Sequence, residues 1–275
     1  MGKGIRSGCP TAELPLSARV RPFIEINQLC AASHVTAARL HSLPQRRRDE
    51  TLDVYHIIRP AGAAHLDRPH VIVHRMKLYE DEVTTIDGVP VTTPTRTWLD
   101  MAELLSVDEL VAMGDSCVRV PRMEFEGRDT PLCSVRDLQG VVDRHRGKRG
   151  LLKAKEALKL IRVGSDSPQE TMLRLAIVRA GLPEPELNVP IITGDGVRHH
   201  EPDLSYRKYK IGIEYEGEHH GEESQIARDI ARSERYTALG WTEVRISKRH
   251  MLNDAKPAAA KVLVALAQAG WRRGS

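Results

Sequence analysis

Three carboxylates could share one site in the segment D-L-S-Y-R-K-Y-K-I-G-I-E-Y-E-G, which begins at Asp203. Glu214 and Glu216 are two residues apart on a predicted strand, so both project from the same face of a sheet. If residues 206–210 form the connection between two strands, Asp203 lies opposite residue 213 or 214. Three negative charges at this range repel each other unless a cation neutralises them, and oxygen ligands favour a hard ion. The segment therefore predicts a site for Mg²⁺ or Mn²⁺ with Asp203, Glu214 and Glu216 as metal ligands.

The elements that must position these carboxylates are predicted in the order α-β-β-β-α-β, with a terminal helix after them. Ser167-Pro168-Gln169-Glu170 is a capping box with proline in the first turn, so it starts the first helix. The other predicted elements are strands near Leu187 to Thr193, Val197 to Ser205 and Ile211 to Glu216, a helix from Glu222 to Leu239, a strand from Trp241 to Ser247, and a helix from Asp254 to Ala269. This order predicts an α/β domain around a central mixed sheet.

A smaller α+β domain is predicted in the first half of the 275-residue chain. Two short helices lie between residues 22 and 43, and they could belong to a helix-turn-helix or simply pack in the core. Asp87-Gly88 between two short apolar runs indicates a hairpin, and Thr93-Pro94 opens a helix. The predicted division is a disordered tail at residues 1–16, an α+β region at 17–143, a basic helical connector at 144–164, and the domain with the acidic site at 165–275.

Positive charge is concentrated in one stretch, although the formal net charge is only +4. Residues 144–162 carry eight basic side chains and a single acid, Glu156. Such a stripe suits a polyanion, because contacts to phosphates give sequence-independent affinity that salt weakens. A solvated linker and helix face is the alternative. The predicted DNA contacts are Arg144, Arg146, Lys148, Arg149, Lys153 and Lys155, with Arg228 and Arg232 on the later helix, where ion pairs to Asp229 or Glu234 are the alternative.

The composition argues against several other classes of protein. Cys9, Cys30, Cys117 and Cys133 are far apart, so neither a disulfide framework nor a thiolate zinc site is predicted. The chain has no long apolar run and no signal-peptide pattern at its start, so we expect a cytoplasmic protein with no membrane association. Aromatic residues make up 4% of the chain, which gives no support to a base-stacking binder of single strands.

Two family resemblances follow from these motifs. With Glu170 on the first helix, E-P-D at 201–203 and E-Y-E at 214–216, the second half resembles the PD-(D/E)XK, or restriction-endonuclease-like, nucleases. I-E-Y-E-G followed by two histidines, and L-G-W-T-E-V-R-I at 239–246, are similar to the branch related to very-short-patch-repair endonucleases. S-H-V-T-A-A-R-L-H at 33–41 and T-I-D-G-V-P-V-T-T-P-T-R-T-W-L-D at 85–100 resemble AbiEi-type antitoxins of type IV toxin-antitoxin systems.

The nuclease resemblance implies roles for individual residues. Asp203 and Glu214 would hold the divalent ion, and Glu170 would contact it through water, unless Glu170 serves only as a helix cap. Glu216 stands where the superfamily usually has lysine, and it could hold a second metal. The missing positive charge could come from Lys208 or Lys210, or from His219 and His220. These two histidines suit a general acid, since imidazoles titrate near neutral pH, or they belong to an exposed loop. His199-His200 is interpreted as a strand-end pair, with a zinc ligand set as the alternative.

The sequence thus predicts a Mg²⁺-dependent DNA endonuclease with an antitoxin-like N-terminal region. The alternative is a DNA-binding antitoxin or transcriptional regulator whose nuclease-like domain is inactive, and a third interpretation is an interaction module with neither activity. Each chain carries one predicted site, so a double-strand cut would need a homodimer.

Overall fold

The computed structural model describes residues 14–25, 30–46, 54–62, 68–122, 126–216 and 223–274, with residues 223–229 described at the level of the backbone. The chain divides into two compact units. The first comprises the chain up to Val118 together with Asp129–Ile161, and the second comprises Arg119–Arg128 together with Arg162–Ser275. No helix in the described ranges is long and apolar enough to cross a membrane.

The first unit is built on a five-stranded mixed sheet of order β3-β2-β1-β5-β4. The strands β2 and β3 are parallel, as are β1 and β5, whereas β1 with β2 and β4 with β5 are antiparallel. The elements are α1 (Leu16–Glu25), β1 (Ala31–Ala32), α2 (His34–Leu40), β2 (Tyr55–Arg59), β3 (Val71–Arg75), β4 (Val83–Ile86), β5 (Val89–Thr92), α3 (Pro94–Met101), α4 (Val107–Val118), α5 (Val135–Arg144) and α6 (Leu151–Leu160).

Local sequence signals set two of these elements. Asp87 and Gly88 both have positive φ, 48° and 76°, which a tight hairpin turn requires, so the predicted hairpin between β4 and β5 is confirmed. The side chain of Thr93 accepts a hydrogen bond from the backbone of Arg96, and Pro94 opens α3. The predicted start of this helix is therefore also confirmed.

The second unit has a four-stranded sheet of order β6-β7-β8-β9. Its elements are α7 (Pro168–Arg179), β6 (Glu186–Leu187), β7 (Leu204–Tyr206), β8 (Ile211–Glu216), α8 (Glu223–Ala238), β9 (Thr242–Ser247) and α9 (Lys256–Gln268). The first three strands are antiparallel neighbours and β9 is parallel to β8. The predicted order and the α/β fold class with mixed sheets are thus confirmed.

The strands predicted at 187–193 and 197–205 are much shorter than expected. Between β6 and β7, a single bridge joins Ile192 to Arg198 outside the named strands. Pro190 and Pro202 stand in this stretch, and proline has no N–H to donate to a sheet ladder. The strand prediction was therefore wrong at these residues.

The two faces of β8 serve different purposes. Ile211 and Ile213 belong to the apolar core, which also includes Leu173 of α7 and Val262 of α9. Because side chains alternate along a strand, Gly212, Glu214 and Glu216 share the other face. Glu214 and Glu216 are therefore on the opposite face of β8 from its apolar core residues.

Ion pairs join the segment Arg119–Arg128 to the rest of the second unit. Arg122 pairs with Asp166 at 2.7 Å and with Glu201 at 3.4 Å, and Arg119 reaches Asp166 at 3.4 Å. This segment follows α4 directly in sequence, so the chain leaves the first unit, contributes to the second and then returns.

Candidate functional site

Glu170, Asp203 and Glu214, which we call the acidic cluster, come together in the second unit. The register of β7 and β8 pairs Leu204 with Ile213, which puts Asp203 beside Glu214, as the sequence predicts. The charges of Glu170 and Glu214 both raise the pKa of Asp203, so both carboxylates lie within electrostatic range of Asp203. The acidic cluster therefore combines residues from a helix, a strand and the residue that precedes a strand.

Glu214 is held in the acidic cluster by two other side chains. It is buried, and its Oε1 accepts a hydrogen bond of 2.6 Å from the hydroxyl of Tyr236 on α8. The Nε2 of His200 lies 2.6 Å from the same oxygen. Gly212 makes this arrangement possible, because a Cβ at this position would lie only 2.3 Å from the Tyr236 hydroxyl. The carboxylate thus has a fixed position on the polar face of the sheet.

Asp203 is half-buried and accepts a hydrogen bond of 2.7 Å from the backbone N–H of Tyr215. Burial, followed by the charges of Glu170 and Glu214, raises its pKa from an ordinary 3.8 to about 7. A carboxylate held in this way is costly to ionise unless a cation is present. This is the electrostatic condition that favours uptake of a metal ion.

The raised pKa of Asp203 makes stability depend on pH in a metal-free protein. Folding retains a proton that the unfolded chain loses above pH 3.8, so stability falls as the pH rises through about 7. Asp203→Asn removes this effect, and the neutral amide oxygen can still accept the bond from Tyr215. We expect the variant to gain stability over the wild type between pH 4 and pH 7, on the order of 4 kcal/mol.

Urea unfolding of both proteins in EDTA at pH 5 and pH 8 measures this difference. Asp195→Asn is the matched control, because Asp195 is exposed in a turn of the same unit. Parallel pH profiles for the Asp203→Asn and wild-type proteins would contradict the assigned environment of Asp203.

Glu170 takes part both in a helix cap and in the acidic cluster. The Ser167 side chain accepts from the Glu170 backbone at 3.2 Å, whereas the Glu170 carboxylate accepts from the Asp166 backbone at 2.8 Å and from the Asn188 amide at 2.9 Å. Burial raises the pKa of Glu170, although these bonds oppose the rise. The two interpretations of Glu170 are therefore compatible.

Glu216 lies in a network of ion pairs on the same sheet face. Its Oε1 contacts Arg245 of β9 at 2.5 Å and Arg232 of α8 at 3.1 Å, and both arginines also approach Glu243. A metal ion at Glu216 would have to compete with two guanidinium groups, and Arg232 would contact a phosphate only by leaving its acidic partners. The predicted metal role of Glu216 and DNA role of Arg232 stay predictions.

His219 and His220 lie outside the described residues, and so does the side chain of Arg228. The imidazole that the structure places at the acidic cluster is instead His200, which sequence analysis assigned only to a strand-end pair. Its ring also meets the ring of Tyr236 edge-on at 5.6 Å. The sequence positions of His200 and Tyr236 do not indicate that they contact Glu214, because each residue reaches it from a separate part of the fold.

A second candidate site lies in the first unit, where an open pocket of about 700 Å³ is lined mainly by basic side chains. We call it the basic pocket. Seven of its lining residues are Lys or Arg, and Glu103 is its only acid. The basic residues are Arg75, Lys77, Arg96, Arg144, Arg146, Lys148 and Arg149. Four of them were predicted from the basic stretch, whereas Arg75, Lys77 and Arg96 come from elements that sequence analysis did not connect with it.

The predicted DNA contacts in this stretch differ in their surroundings. The side chain of Lys148 is buried and pairs with Asp100 at 3.0 Å and Glu103 at 3.3 Å. Arg144 pairs with Asp81 at 2.6 Å and lies 3.8 Å from the centre of the Tyr79 ring.

Helix α6 carries two further predicted contacts. Lys153 donates to the backbone oxygens of Glu103 and Leu105, at 3.3 and 2.6 Å, whereas Lys155 is exposed. At the basic pocket, Arg146 and Arg149 are also exposed. The exposed residues are the best placed to meet a polyanion.

Most of the residues that line the basic pocket belong to a segment that matches a known protein family. Residues 30–147 match the family model described as the AbiEi antitoxin C-terminal domain. The predicted antitoxin-like region is therefore confirmed for this segment. The chain is also 28% identical to two uncharacterized proteins of Mycobacterium tuberculosis, from strains CDC 1551 / Oshkosh and ATCC 25618 / H37Rv. That similarity extends over 178 residues, which make up 64% of this chain and 62% of each relative. No solved structure matches the chain significantly.

Proposed function

We propose that this chain is a DNA-binding protein of the antitoxin type, and that its basic pocket contacts the phosphates of the duplex. The observation that carries the proposal is the placement of seven basic residues around one pocket, five of them within the antitoxin-like segment and the other two, Lys148 and Arg149, directly after it. Exposed Arg146 and Arg149 at its rim suit phosphate oxygens, because arginine offers a planar set of donors. Phosphate contacts of this kind give affinity without specifying a base sequence.

The salt dependence of binding tests this proposal. Removing two phosphate contacts in the double variant Arg146→Ala, Arg149→Ala should reduce the slope of log K against log salt by about 1.8, at about 0.9 per phosphate. Fluorescence anisotropy with a labelled duplex between low and moderate salt measures the slope. Lys256→Ala, at an exposed lysine of the second unit, is the matched control. An unchanged slope in the double variant would exclude the basic pocket as the DNA contact.

A second candidate function, metal-dependent DNA cleavage, is favoured by the acidic cluster. Its donor set consists of three carboxylates; burial raises the pKa of Glu170 and of Asp203, and the charges of Glu170 and Glu214 raise that of Asp203 further. This set fits a hard divalent ion such as Mg²⁺ or Mn²⁺, with Asp203 and Glu214 as its ligands and Glu170 reaching it through water. Such an ion polarises a phosphodiester oxygen and lowers the pKa of a bound water.

The surrounding residues would prepare the acidic cluster for this role. Tyr236 and His200 hold the Glu214 carboxylate in place, and the Tyr215 N–H orients Asp203. Positive charge for a phosphate would come from Arg232 and Arg245, which stand beside Glu216 where the resembled nucleases carry lysine. A plasmid-nicking assay separates the two functions. If the acidic cluster is inactive, the protein binds DNA through the basic pocket but does not nick it.

A further inference from the structure

Three histidines from separate elements meet in the first unit. His34 opens α2, His56 lies on β2 and His74 on β3. One ring nitrogen from each lies within 4.8 Å of those of the other two, and this is the one such group of metal-ligating side chains in the described part of the chain. The spacing in the sequence gives no sign of this cluster, which depends on the sheet pairing.

The backbone fixes the three histidines relative to one another. Parallel pairing sets His56 opposite Ile72, so His56 and His74 project from the same face two residues apart. The N–H of Ser33 donates to the His56 carbonyl at 3.0 Å, and the His56 N–H donates to the Thr36 hydroxyl at 2.8 Å, which ties α2 to β2. His34 has a φ of 47°, a conformation uncommon for a residue with a side chain. Strain of this kind is often found at functional sites.

One nitrogen of this cluster lacks a partner. His34 is completely buried, and its Nε2 has no hydrogen-bond partner, while its Nδ1 lies 3.0 Å from the Ser33 hydroxyl. A buried polar atom without a partner is costly, and a bound ion is one of its common explanations. Burial also lowers the pKa of His34 well below its usual range and that of His74 to about 3, so both rings stay neutral. Neutral imidazole is the form that binds metal.

The charges next to the cluster are compensated. Lys148 and Arg96 are the cations that influence His34. Lys148 pairs with Asp100 and Glu103, and Arg96 pairs with Glu82 and Asp100. The neighbouring positive charge is therefore balanced by carboxylates, which lessens its repulsion of an incoming cation.

We propose that His34, His56 and His74 form a binding site for a divalent transition-metal ion, with Zn²⁺ as the best-fitting ion. Imidazole nitrogens suit zinc, whereas magnesium and calcium prefer oxygen. Two nitrogens on a tetrahedral zinc ion lie about 3.3 Å apart, given bonds of about 2.0–2.1 Å. The Nδ1 of His56 and the Nε2 of His74 are already 3.0 Å apart as a hydrogen-bonded pair, and a metal ion would take the place of the shared proton. The rings of His34 and His74 are stacked with centroids 3.5 Å apart, so one ring turns when both nitrogens approach the ion.

Three nitrogen ligands leave one position of a tetrahedral zinc ion for another group. His74 also lines the basic pocket, so this position is next to a space that attracts anions. Water or a phosphate oxygen is the kind of ligand that would occupy this fourth position. The site is independent of the acidic cluster, which belongs to the second unit.

Zinc binding tests this proposal. The protein is the full chain without a histidine tag, and bound metal is removed before the measurement. The titration is done by calorimetry in the Asp203→Asn background with excess Mg²⁺, so that the acidic cluster does not take up zinc. We expect one zinc ion per chain, and we expect this equivalent to be lost in His74→Gln. His70→Gln, at an exposed histidine just before β3, is the matched control and should keep it.

Two further measurements separate a metal site from a structural stack of histidines. Co²⁺ in place of zinc should give the visible absorption of a tetrahedral nitrogen site in the control but not in His74→Gln. Zinc should raise the Tm of the control above its own value in EDTA, and should leave the Tm of His74→Gln at its own EDTA value. Zinc uptake that survives both His74→Gln and His56→Gln, or no uptake by the control, would overturn the proposal.

Discussion

Asp203→Asn and Glu214→Gln should each lower Mg²⁺-dependent nicking of supercoiled plasmid by about 10³-fold if the acidic cluster is catalytic. The reason is that each substitution removes a charged oxygen ligand, and a bound metal contributes several kcal/mol of transition-state stabilisation. Neither change alters the size of the side chain, and the Tyr215 N–H can still bond to residue 203. The rate of conversion to nicked circles, measured with Mg²⁺, Mn²⁺ and EDTA, gives the fold-change.

Asp195→Asn is the matched control for this assay, since it makes the same chemical change at an exposed turn of the same unit. Duplex binding by all three variants should equal that of the wild type, because the basic pocket belongs to the first unit. If the wild type binds DNA yet never nicks it, the antitoxin-type function stands alone. Nicking that survives in both cluster variants would show that the cleavage comes from another site or from a contaminant.

Arg96→Ala should destabilise the first unit by about 3–5 kcal/mol, as expected when one partner of a buried ion pair is removed. The Arg96 side chain is completely buried and bonds to Glu82 at 2.5 Å, Asp100 at 2.9 Å and the Lys77 carbonyl at 2.9 Å. The alanine variant leaves two buried carboxylates that have lost their shared partner. Hydrogen exchange in peptides of α3 and α4, followed across urea concentrations, reports on this unit separately.

The control for this measurement is Arg46→Ala. Arg46 pairs with Glu109 at 2.9 Å, but both side chains are partly exposed, at 25% and 31%. Exposed pairs of this kind contribute about 0.2–1 kcal/mol. Equal losses of unfolding free energy in the two variants would mean that burial does not determine how much these ion pairs contribute to stability.

Much of the fold could be predicted because local signals were strong. The Asp87-Gly88 turn, the Thr93 and Ser167 caps and the period-two pattern of β8 each depend on a few neighbouring residues. The register that sets Asp203 beside Glu214 follows from the length of one short connection. The strands before β7 were overestimated because apolar residues suggested a ladder that Pro190 and Pro202 interrupt.

The partners of the site residues could not be predicted, because they come from distant parts of the chain. Tyr236 and His200 reach Glu214 from a later helix and an earlier loop. Lys148 looked like one member of an exposed stripe, yet it is buried against Asp100 and Glu103. A one-dimensional charge pattern does not record which face of an element packs inward.

The path of the backbone limits how this protein can be dissected. A recombinant fragment that starts at Arg162 would omit the segment Arg119–Arg128. Asp166 would then lose both of its guanidinium partners, Arg119 and Arg122. A fragment that ends at Val118 would lack α5, α6 and the residues between them, which supply four of the seven basic residues of the pocket. Neither half can be excised at a single peptide bond, so internal deletions or point variants are the sound way to assign activities.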